Sequence, residues 1–158
     1  MLKVIISHSK IEGLGVFAVR DIQKGHIAFI LKGKLVGFYP KTRRDAIMKP
    51  NIIGVAKNLW IDPYAPAKYI NHSCDPNLGM RGKVLFVALR DIARGEEVTF
   101  DYSISEDSLW EMKCHCGAKN CRGIIRGIRH LPKAVYNKYL PYIPKYFQRV
   151  YMQNQNQQ

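Results

Sequence analysis

Long apolar runs are missing from this 158-residue chain, and no stretch approaches the length needed to cross a lipid bilayer. The apolar part of residues 1–6 is too short for a secretory signal peptide. Hydrophobic residues nevertheless make up 47% of the sequence, which is enough to build a core. We therefore expect one domain that is intracellular and has no membrane partner.

Acidic residues are absent from the C-terminal third of the chain. Residues 112–158 contain no Asp or Glu but nine Lys and Arg, whereas the first 111 residues contribute only +4 to the net charge of +13. This imbalance suggests an acidic partner, such as nucleic acid, for the basic C-terminal region. A solvated basic surface is the alternative, because the sign of a charge alone identifies no ligand.

Short apolar stretches separated by turn residues predict a mainly β domain. The phrase Arg-Asp-Ile-x-x-Gly occurs twice, which indicates two similar strand–turn–strand units. A glycine-rich turn is predicted around Gly13 and Gly15, and prolines delimit two short helices near the C-terminus. Strands are predicted at residues 1–10, 27–31, 33–36, 58–62, 84–89 and 98–102. Helical segments are predicted at residues 44–48, 132–140 and 144–152, and a disordered tail at 153–158.

Four consecutive side chains, Asn71-His72-Ser73-Cys74, place an amide, an imidazole, a hydroxyl and a thiol side by side. The run is a poor core strand, because buried polar groups must all find partners. It is also a poor surface loop, because a free thiol there would be reactive. A ligand site explains the run better, with Asn71 and His72 as hydrogen-bonding groups and Cys74 as a metal ligand.

The chain has only four cysteines, Cys74, Cys114, Cys116 and Cys121. In an intracellular protein a clustered, even set more often binds metal than forms disulfides, which are the alternative. The last three form a Cys-x-Cys-x4-Cys loop, and tetrahedral zinc takes four ligands, so Cys74 is the predicted fourth. His115 is a rival for that position. Four protein ligands would make the site closed and structural.

Four stretches together make the chain resemble a SET domain followed by a zinc-binding post-SET segment. The resemblance extends from residue 11 to about residue 127. The stretches are Gly13-Leu14-Gly15, Asn71-His72-Ser73-Cys74-x-Pro76-Asn77, Gly95-Glu96-Glu97-Val98-Thr99-Phe100-Asp101-Tyr102, and the cysteine loop ending in Cys121-Arg122-Gly123. The first is weak by itself, whereas the second and third are specific.

The resemblance implies a small stand-alone member of the SET-domain protein-lysine methyltransferases. The implied fold is mainly β, with several short strands and small sheets, a knot-like C-terminal threading and short C-terminal helices. The implied divisions are a SET domain at residues 1–110, a post-SET zinc segment at 111–127, a basic and aromatic helical extension at 128–152 and the tail. We expect the extension to pack on the domain and shape the substrate face.

The implied reaction transfers methyl from S-adenosylmethionine to the ε-amine of a lysine, with zinc as a structural ion. The implied substrate is a histone, a histone-like protein or a ribosomal or translation protein. The location would be cytoplasmic, or nuclear and chromosomal if the cell is eukaryotic. The alternative is a catalytically silent SET-fold module that binds nucleic acid or chromatin through its basic C-terminal region.

The resemblance also implies roles for individual residues. Tyr102 matches the catalytic tyrosine, and Phe100 would line the substrate-lysine channel beside it, because strand alternation would place both on one face. A phenylalanine at this place implies room for more than one methyl group. The implied cofactor-binding residues are Leu14, Gly15, Lys68, Asn71, His72, Tyr102 and Ile124, with Arg122 and Gly123 as further candidates.

Two positions depart from the family pattern. Leu31 stands where many members have a second active-site tyrosine, which puts hydrogen bonding of the substrate amine in question. Lys68 stands where an arginine is usual, so the charge is kept but the planar fork is lost.

Overall fold

The computed structural model describes residues 3–37 and 51–156. The helical turn predicted at residues 44–48 lies outside this part of the chain. Within it, no helix is both long and apolar enough to cross a membrane. Strands predominate and two short helices lie near the C-terminus, which confirms the predicted mainly β class.

The described strands are short. In chain order they are β1 Val4–His8, β2 Leu14–Ala18, β3 Ile27–Ile30, β4 Gly33–Val36, β5 Ile53–Ala56, β6 Leu59–Pro63, β7 Asn71–His72, β8 Leu78–Arg81, β9 Leu85–Ala88, β10 Glu97–Phe100, β11 Glu111–Lys113 and β12 Ile124–Arg126. The helices are α1 Lys133–Tyr139 and α2 Lys145–Gln155, and 3-10 helices occupy Ala67–Tyr69, Tyr102–Ser105 and Ile128–His130.

Three sheets organise these strands. The largest runs in the order β1-β2-β10-β8-β9-β3, with β7 also paired to β10, and the others are β4-β6-β5 and β11-β12. Strand β10 is central, because it pairs antiparallel with β2 and parallel with both β7 and β8. The segments containing Gly15, Asn71 and Phe100 are therefore neighbours in one sheet, although they are far apart in sequence.

The apolar run predicted as a strand buried on both faces is β9, whose residues Phe86, Val87 and Ala88 are fully buried. The glycine-rich segment predicted as a turn is instead largely strand β2. Gly15 explains this, because a Cβ there would collide with the Glu97 carboxylate of β10. The lack of a side chain allows the two strands to approach closely.

The strand predicted at residues 98–102 is shorter in the structure. Strand β10 ends at Phe100, and Tyr102 begins a 3-10 helix. Asp101 sets this boundary, because its carboxylate accepts the Ser103 N–H at 3.0 Å and so caps the turn. Tyr102 therefore does not share a strand face with Phe100, and the predicted alternation is wrong at this position.

The two Arg-Asp-Ile-x-x-Gly phrases pack against each other. Ile22 and Ile92 form an antiparallel bridge with two N–H···O bonds of 2.9 Å. Each aspartate accepts a backbone N–H from the other unit, Asp21 at 2.8 Å and Asp91 at 2.7 Å. The two similar units are thus joined by matching hydrogen bonds in both directions, and we call this pair of turns the clamp.

We expect Asp21→Ala and Asp91→Ala each to lower the free energy of unfolding by about 1 kcal/mol, because each removes one hydrogen bond. Urea denaturation measures the loss. Asp62→Ala is the matched control, since this exposed carboxylate makes no hydrogen bond with any described residue. Equal losses in all three variants would attribute the effect to charge and not to the clamp.

The C-terminal helices belong to the main hydrophobic core. Tyr136 of α1 stacks on Tyr151 of α2 with ring centroids 3.8 Å apart, and Phe147 is 1% exposed. Tyr139 also donates its hydroxyl to the Cys74 carbonyl at 3.2 Å. Helix α2 continues to Gln155, so the part of the predicted disordered tail up to that residue is helical. The division of the chain into SET, post-SET and extension segments stays a prediction.

Candidate functional site

Asn71 is a hydrogen-bonding hub between three segments. Its buried amide nitrogen lies 3.1 Å from each of the backbone oxygens of Glu12 and Leu14 and 2.8 Å from the Glu97 carboxylate. Ser9 donates to the same carboxylate at 2.8 Å. The amide therefore ties strand β7 to the glycine turn and to β10, and the cofactor contact of Asn71 stays a prediction.

His72 is buried beside Tyr102. The Nδ1 atom of His72 accepts the Tyr102 N–H at 3.3 Å, and the two rings meet edge to face at 5.2 Å. Burial lowers the His72 pKa to about 4, although the Asp101 carboxylate opposes this shift. The imidazole is therefore neutral at physiological pH, and its Nε2 atom, 3.5 Å from the Cys74 sulfur, carries the ring proton.

Tyr102 presents a neutral hydroxyl. This hydroxyl donates to the Ile70 carbonyl at 2.7 Å, which leaves its oxygen lone pairs available to accept. Burial raises the Tyr102 pKa to about 12. The phenol therefore keeps its proton at physiological pH, and it can orient a ligand but not act as a general base there.

Sulfur atoms from distant parts of the chain converge next to this tyrosine. Ligand atoms of His72, Cys74, Cys114 and Cys116 all lie within 4.8 Å of one another. The Cys74 and Cys114 sulfurs are 3.8 Å apart, which matches the separation of about 3.8 Å expected for two thiolates 2.3 Å from one tetrahedral zinc ion. The donor set and its spacing therefore fit zinc.

The protonation of the thiols differs across the cluster. Burial raises the pKa of Cys74 and of Cys114, so both hold their protons in the absence of a metal. Burial also opposes ionisation of Cys116, but hydrogen bonds from the Cys74 and Ala118 backbone and from neighbouring thiols outweigh it and lower its pKa to about 7.

Cys121 lies at the edge of the cluster. It is exposed, and its sulfur is 3.8 Å from the Cys114 carbonyl oxygen. Hydrogen bonding from the Cys121 thiol also contributes to the lowered pKa of Cys116. The structure thus brings together three of the four predicted zinc ligands and places Cys121 next to them, while His72 joins as an unpredicted neighbour. The predicted rival, His115, is not in the cluster.

A cavity of about 150 Å³, partly open to solvent, lies between these elements. Three residues predicted to bind the cofactor line it, Asn71, His72 and Tyr102, and so do Cys114 and Cys116. The cysteine loop therefore forms one wall of the cavity that contains the tyrosine. The Cys74 N–H donates to the Cys116 sulfur at 3.4 Å, which joins the cysteine loop to the segment that contains Asn71 and His72.

The other predicted cofactor residues do not line this cavity. Leu14 and Ile124 are 41% and 46% exposed outside it, Lys68 is exposed, and Gly15 is buried against Glu97. Phe100, predicted to line the lysine channel, is 1% exposed and packs edge to face on Phe86 at 5.0 Å. In this structure Phe100 is a core residue.

Sequence reasoning missed several residues that line the cavity. They are Ile11, Glu12, Met112, Lys113 and His115. All of them lie within two residues of a motif that the sequence does reveal, either the Gly13 turn or the cysteine loop. Proximity to those motifs was the available signal that these residues are near the site. Whether each side chain enters the cavity depends on how β11 and the Gly13 turn are placed.

Fold and site together define a small β domain in which the short strand β7, a tyrosine-bearing turn and a cysteine-rich segment line one cavity. The family model for the SET domain matches residues 13–103, which is more than half of the chain. The chain therefore belongs to the SET domain family.

Similar proteins are much longer than this chain. "Histone-lysine N-methyltransferase 2D" of Homo sapiens is 32% identical over 135 residues, which cover 75% of this chain and 2% of that protein. "Histone-lysine N-methyltransferase, H3 lysine-36 specific" of Yarrowia lipolytica is 32% identical over 139 residues, or 78% of this chain and 18% of that protein. The chain thus spans only a small part of these relatives.

Solved structures share the fold. The methyltransferase domain of human Histone-lysine N-methyltransferase SETMAR aligns with a TM-score of 0.62 and 21% identity, over 80% of this chain and 59% of that one. A structure of ctPRC2 in an autoinhibited conformation, bound to S-adenosylmethionine, aligns with a TM-score of 0.53 and 23% identity, over 65% of this chain and 15% of that one.

Proposed function

We propose that this protein is an S-adenosylmethionine-dependent protein-lysine N-methyltransferase in which Tyr102 is the catalytic residue. The observation that carries the proposal is the meeting of Asn71, His72 and Tyr102 at one cavity walled by the cysteine loop. Membership of the SET domain family, and relatives named histone-lysine N-methyltransferases, support the same reaction.

The charged residues that line the cavity suit this cofactor. Glu12 and Lys113 both line it and carry opposite charges, which suits a ligand with an ammonium and a carboxylate. When bound, S-adenosylmethionine supplies a sulfonium methyl group for in-line displacement by the substrate amine.

The residues around Tyr102 have two tasks in that reaction. A lysine amine, whose ordinary pKa is about 10.4, must be neutral to attack, and a dry site beside a cation disfavours the ammonium. Because its own proton is held by the Ile70 carbonyl, the Tyr102 oxygen can accept from the amine and align it. Alignment of this kind removes much of the entropic part of the barrier.

The cysteine cluster has a structural role in this proposal. Cys74, Cys114, Cys116 and Cys121 would hold one zinc ion, and the ion would join strand β7 to the loop that closes the cavity. We favour Cys121 over His72 as the fourth ligand because His72 accepts at Nδ1 and so presents a donor, not a lone pair, to the cluster.

Methyl transfer from labelled S-adenosylmethionine tests the proposal. The full chain, confirmed to contain zinc, is incubated with purified histones and with lysates, and labelled proteins are mapped by mass spectrometry. We expect label on lysine side chains, with Tyr102→Phe as the control for contaminating enzymes. Cofactor binding without transfer to any lysine, in either substrate pool, would favour a catalytically silent module.

For the substrate, we propose a histone or histone-like protein, with ribosomal or translation proteins as the other candidates. The names of the relatives support the histone class, and they also support a chromosomal location if the cell is eukaryotic. The labelled proteins from the lysate decide between these substrates, and the mass added to each lysine counts the methyl groups.

A nucleic-acid contact is a second proposal, and the exposed basic side chains after residue 112 favour it. Eight of the nine lie exposed. Their positions are Lys113, Lys119, Arg126, Arg129, Lys133, Lys138, Lys145 and Arg149. Three of these eight pair with carboxylates from other segments, Arg126 with Glu111, Arg129 with Asp107 and Lys138 with Asp75. Such a surface favours a basic histone substrate that is presented on DNA over the same histone alone.

We expect DNA binding that weakens steeply with salt, because each neutralised phosphate adds about 0.9 to the slope of log K against log[salt]. Lys145→Gln combined with Arg149→Gln, one turn apart on α2, is expected to reduce that slope by roughly 2. Lys32→Gln combined with Lys57→Gln removes equal charge from the N-terminal part as the control. Equal slopes for both double variants would rule out a contact at α2.

A further inference from the structure

Arg122 contacts both the cysteine cluster and the turn that presents Tyr102. Its backbone N–H and its Nε donate to the Cys74 sulfur at 3.3 and 3.5 Å. Its Nη2 donates to both oxygens of the Asp101 carboxylate at 2.7 Å. One side chain therefore reaches from a predicted metal ligand to the residue directly before Tyr102.

Asp101 depends on this contact. It is 0% exposed, so its charge has no access to solvent, and Arg122 supplies the paired cation. Breaking a buried ion pair by removing one partner leaves an uncompensated charge and is strongly destabilising. Asp101 also accepts the Ser103 N–H at 3.0 Å, which starts the 3-10 helix that begins at Tyr102, and it lies 3.8 Å from His72 Nδ1. Loss of the ion pair would therefore release this turn.

We propose that Arg122 is a positioning residue that couples assembly of the cysteine cluster to the orientation of Tyr102. Its two bonds to the Cys74 sulfur are bonds of the kind that orient a metal ligand from outside the coordination shell. When the cluster is assembled, Cys74 and the loop hold Arg122 against Asp101, and Asp101 holds the Tyr102 turn. The inference rests on the proposed function because it treats Tyr102 as catalytic and zinc as the ion of the cluster.

Hydrogen exchange and zinc release test the coupling without an activity assay. In the wild type we expect amide exchange in residues 101–105 to accelerate when zinc is removed by a chelator. In Arg122→Met we expect this segment to exchange rapidly even with zinc bound, and zinc to be lost at roughly 10- to 100-fold lower chelator concentration. The control is Arg126→Met, which breaks an exposed pair with Glu111 and should alter neither quantity.

A wild-type exchange rate in zinc-loaded Arg122→Met, or unchanged zinc retention, would overturn the inference. If Arg122→Met does not fold, Arg122→Lys and Asp101→Asn replace it, because each keeps part of the network. In the double variant that combines Arg122→Lys with Asp101→Asn, the loss of zinc retention should differ from the sum of the two single losses. Additive losses would show that the two residues act independently and would refute the coupling. If zinc retention and exchange in residues 101–105 prove to be coupled but the wild type transfers no methyl group, the inference stands and only the proposed function is contradicted.

Discussion

Tyr102→Phe is expected to reduce methyl transfer by roughly 10²- to 10³-fold, the size of effect seen when one aligned transition-state group is removed. The substitution removes the hydroxyl that is held at 2.7 Å by the Ile70 carbonyl and leaves the ring that packs on His72. Since only one hydrogen bond is lost, the free energy of unfolding should fall by only about 1 kcal/mol. Steady-state kinetics and urea denaturation measure the two quantities.

The matched control is Tyr142→Phe, which makes the same chemical change at a partly buried tyrosine away from the cavity. It should leave the rate within a few-fold of the wild type. The binding affinity of Tyr102→Phe for the cofactor also separates two roles. A loss confined to binding, with an unchanged rate at saturation, would assign Tyr102 to cofactor recognition and refute its catalytic role.

Replacing Cys121 by serine is expected to weaken zinc binding by well over 100-fold, because it removes a direct ligand. Removing a residue that only contacts a ligand typically weakens metal binding by roughly 10- to 100-fold. His72→Gln should fall within that range, because His72 would act as a donor to Cys74 and not as a ligand. Metal analysis should find one zinc ion per chain in the wild type. Cobalt substitution then reports the number of sulfur ligands through its charge-transfer absorption.

The consequence for the fold should be large as well. Strands β11 and β12 have three residues each, too few for an independently stable hairpin, so we expect the proposed zinc ion to supply much of their stability. Chelation should therefore cause exchange of the amides of β11 while β9 stays protected. A greater loss of zinc in His72→Gln than in Cys121→Ser would instead make His72 the fourth ligand.

The sequence predicted the parts of the site that depend on side-chain chemistry. Asn71, His72 and Tyr102 line one cavity, and three of the four cysteines form a cluster, because few other environments can satisfy such polar and thiol groups. It predicted strand β9 equally well, since a continuous apolar run of that length has to be buried.

Predictions that depended on the direction of a side chain were harder to make from the sequence. Phe100 lies in the core, because β10 is covered on that face by Phe86. Leu14 and Ile124 do not line the cavity, and their cofactor contacts stay predictions, whereas Glu12 and Met112 do line it. In each case the deciding factor was the placement of one strand or turn against another, which residue identity does not encode locally.

By itself, the sequence determined the class of the fold, the basic C-terminal region and the residue types available for methyl transfer and metal binding. Only the tertiary structure decided that β7 lies beside β10, that Tyr102 leaves the strand for a capped turn and that Arg122 spans the space between Cys74 and Asp101. The physical reason is that the chemistry of a side chain is fixed by the residue type at one position and can be read from the sequence. The cavity and the buried ion pair exist only where segments tens of residues apart come into contact.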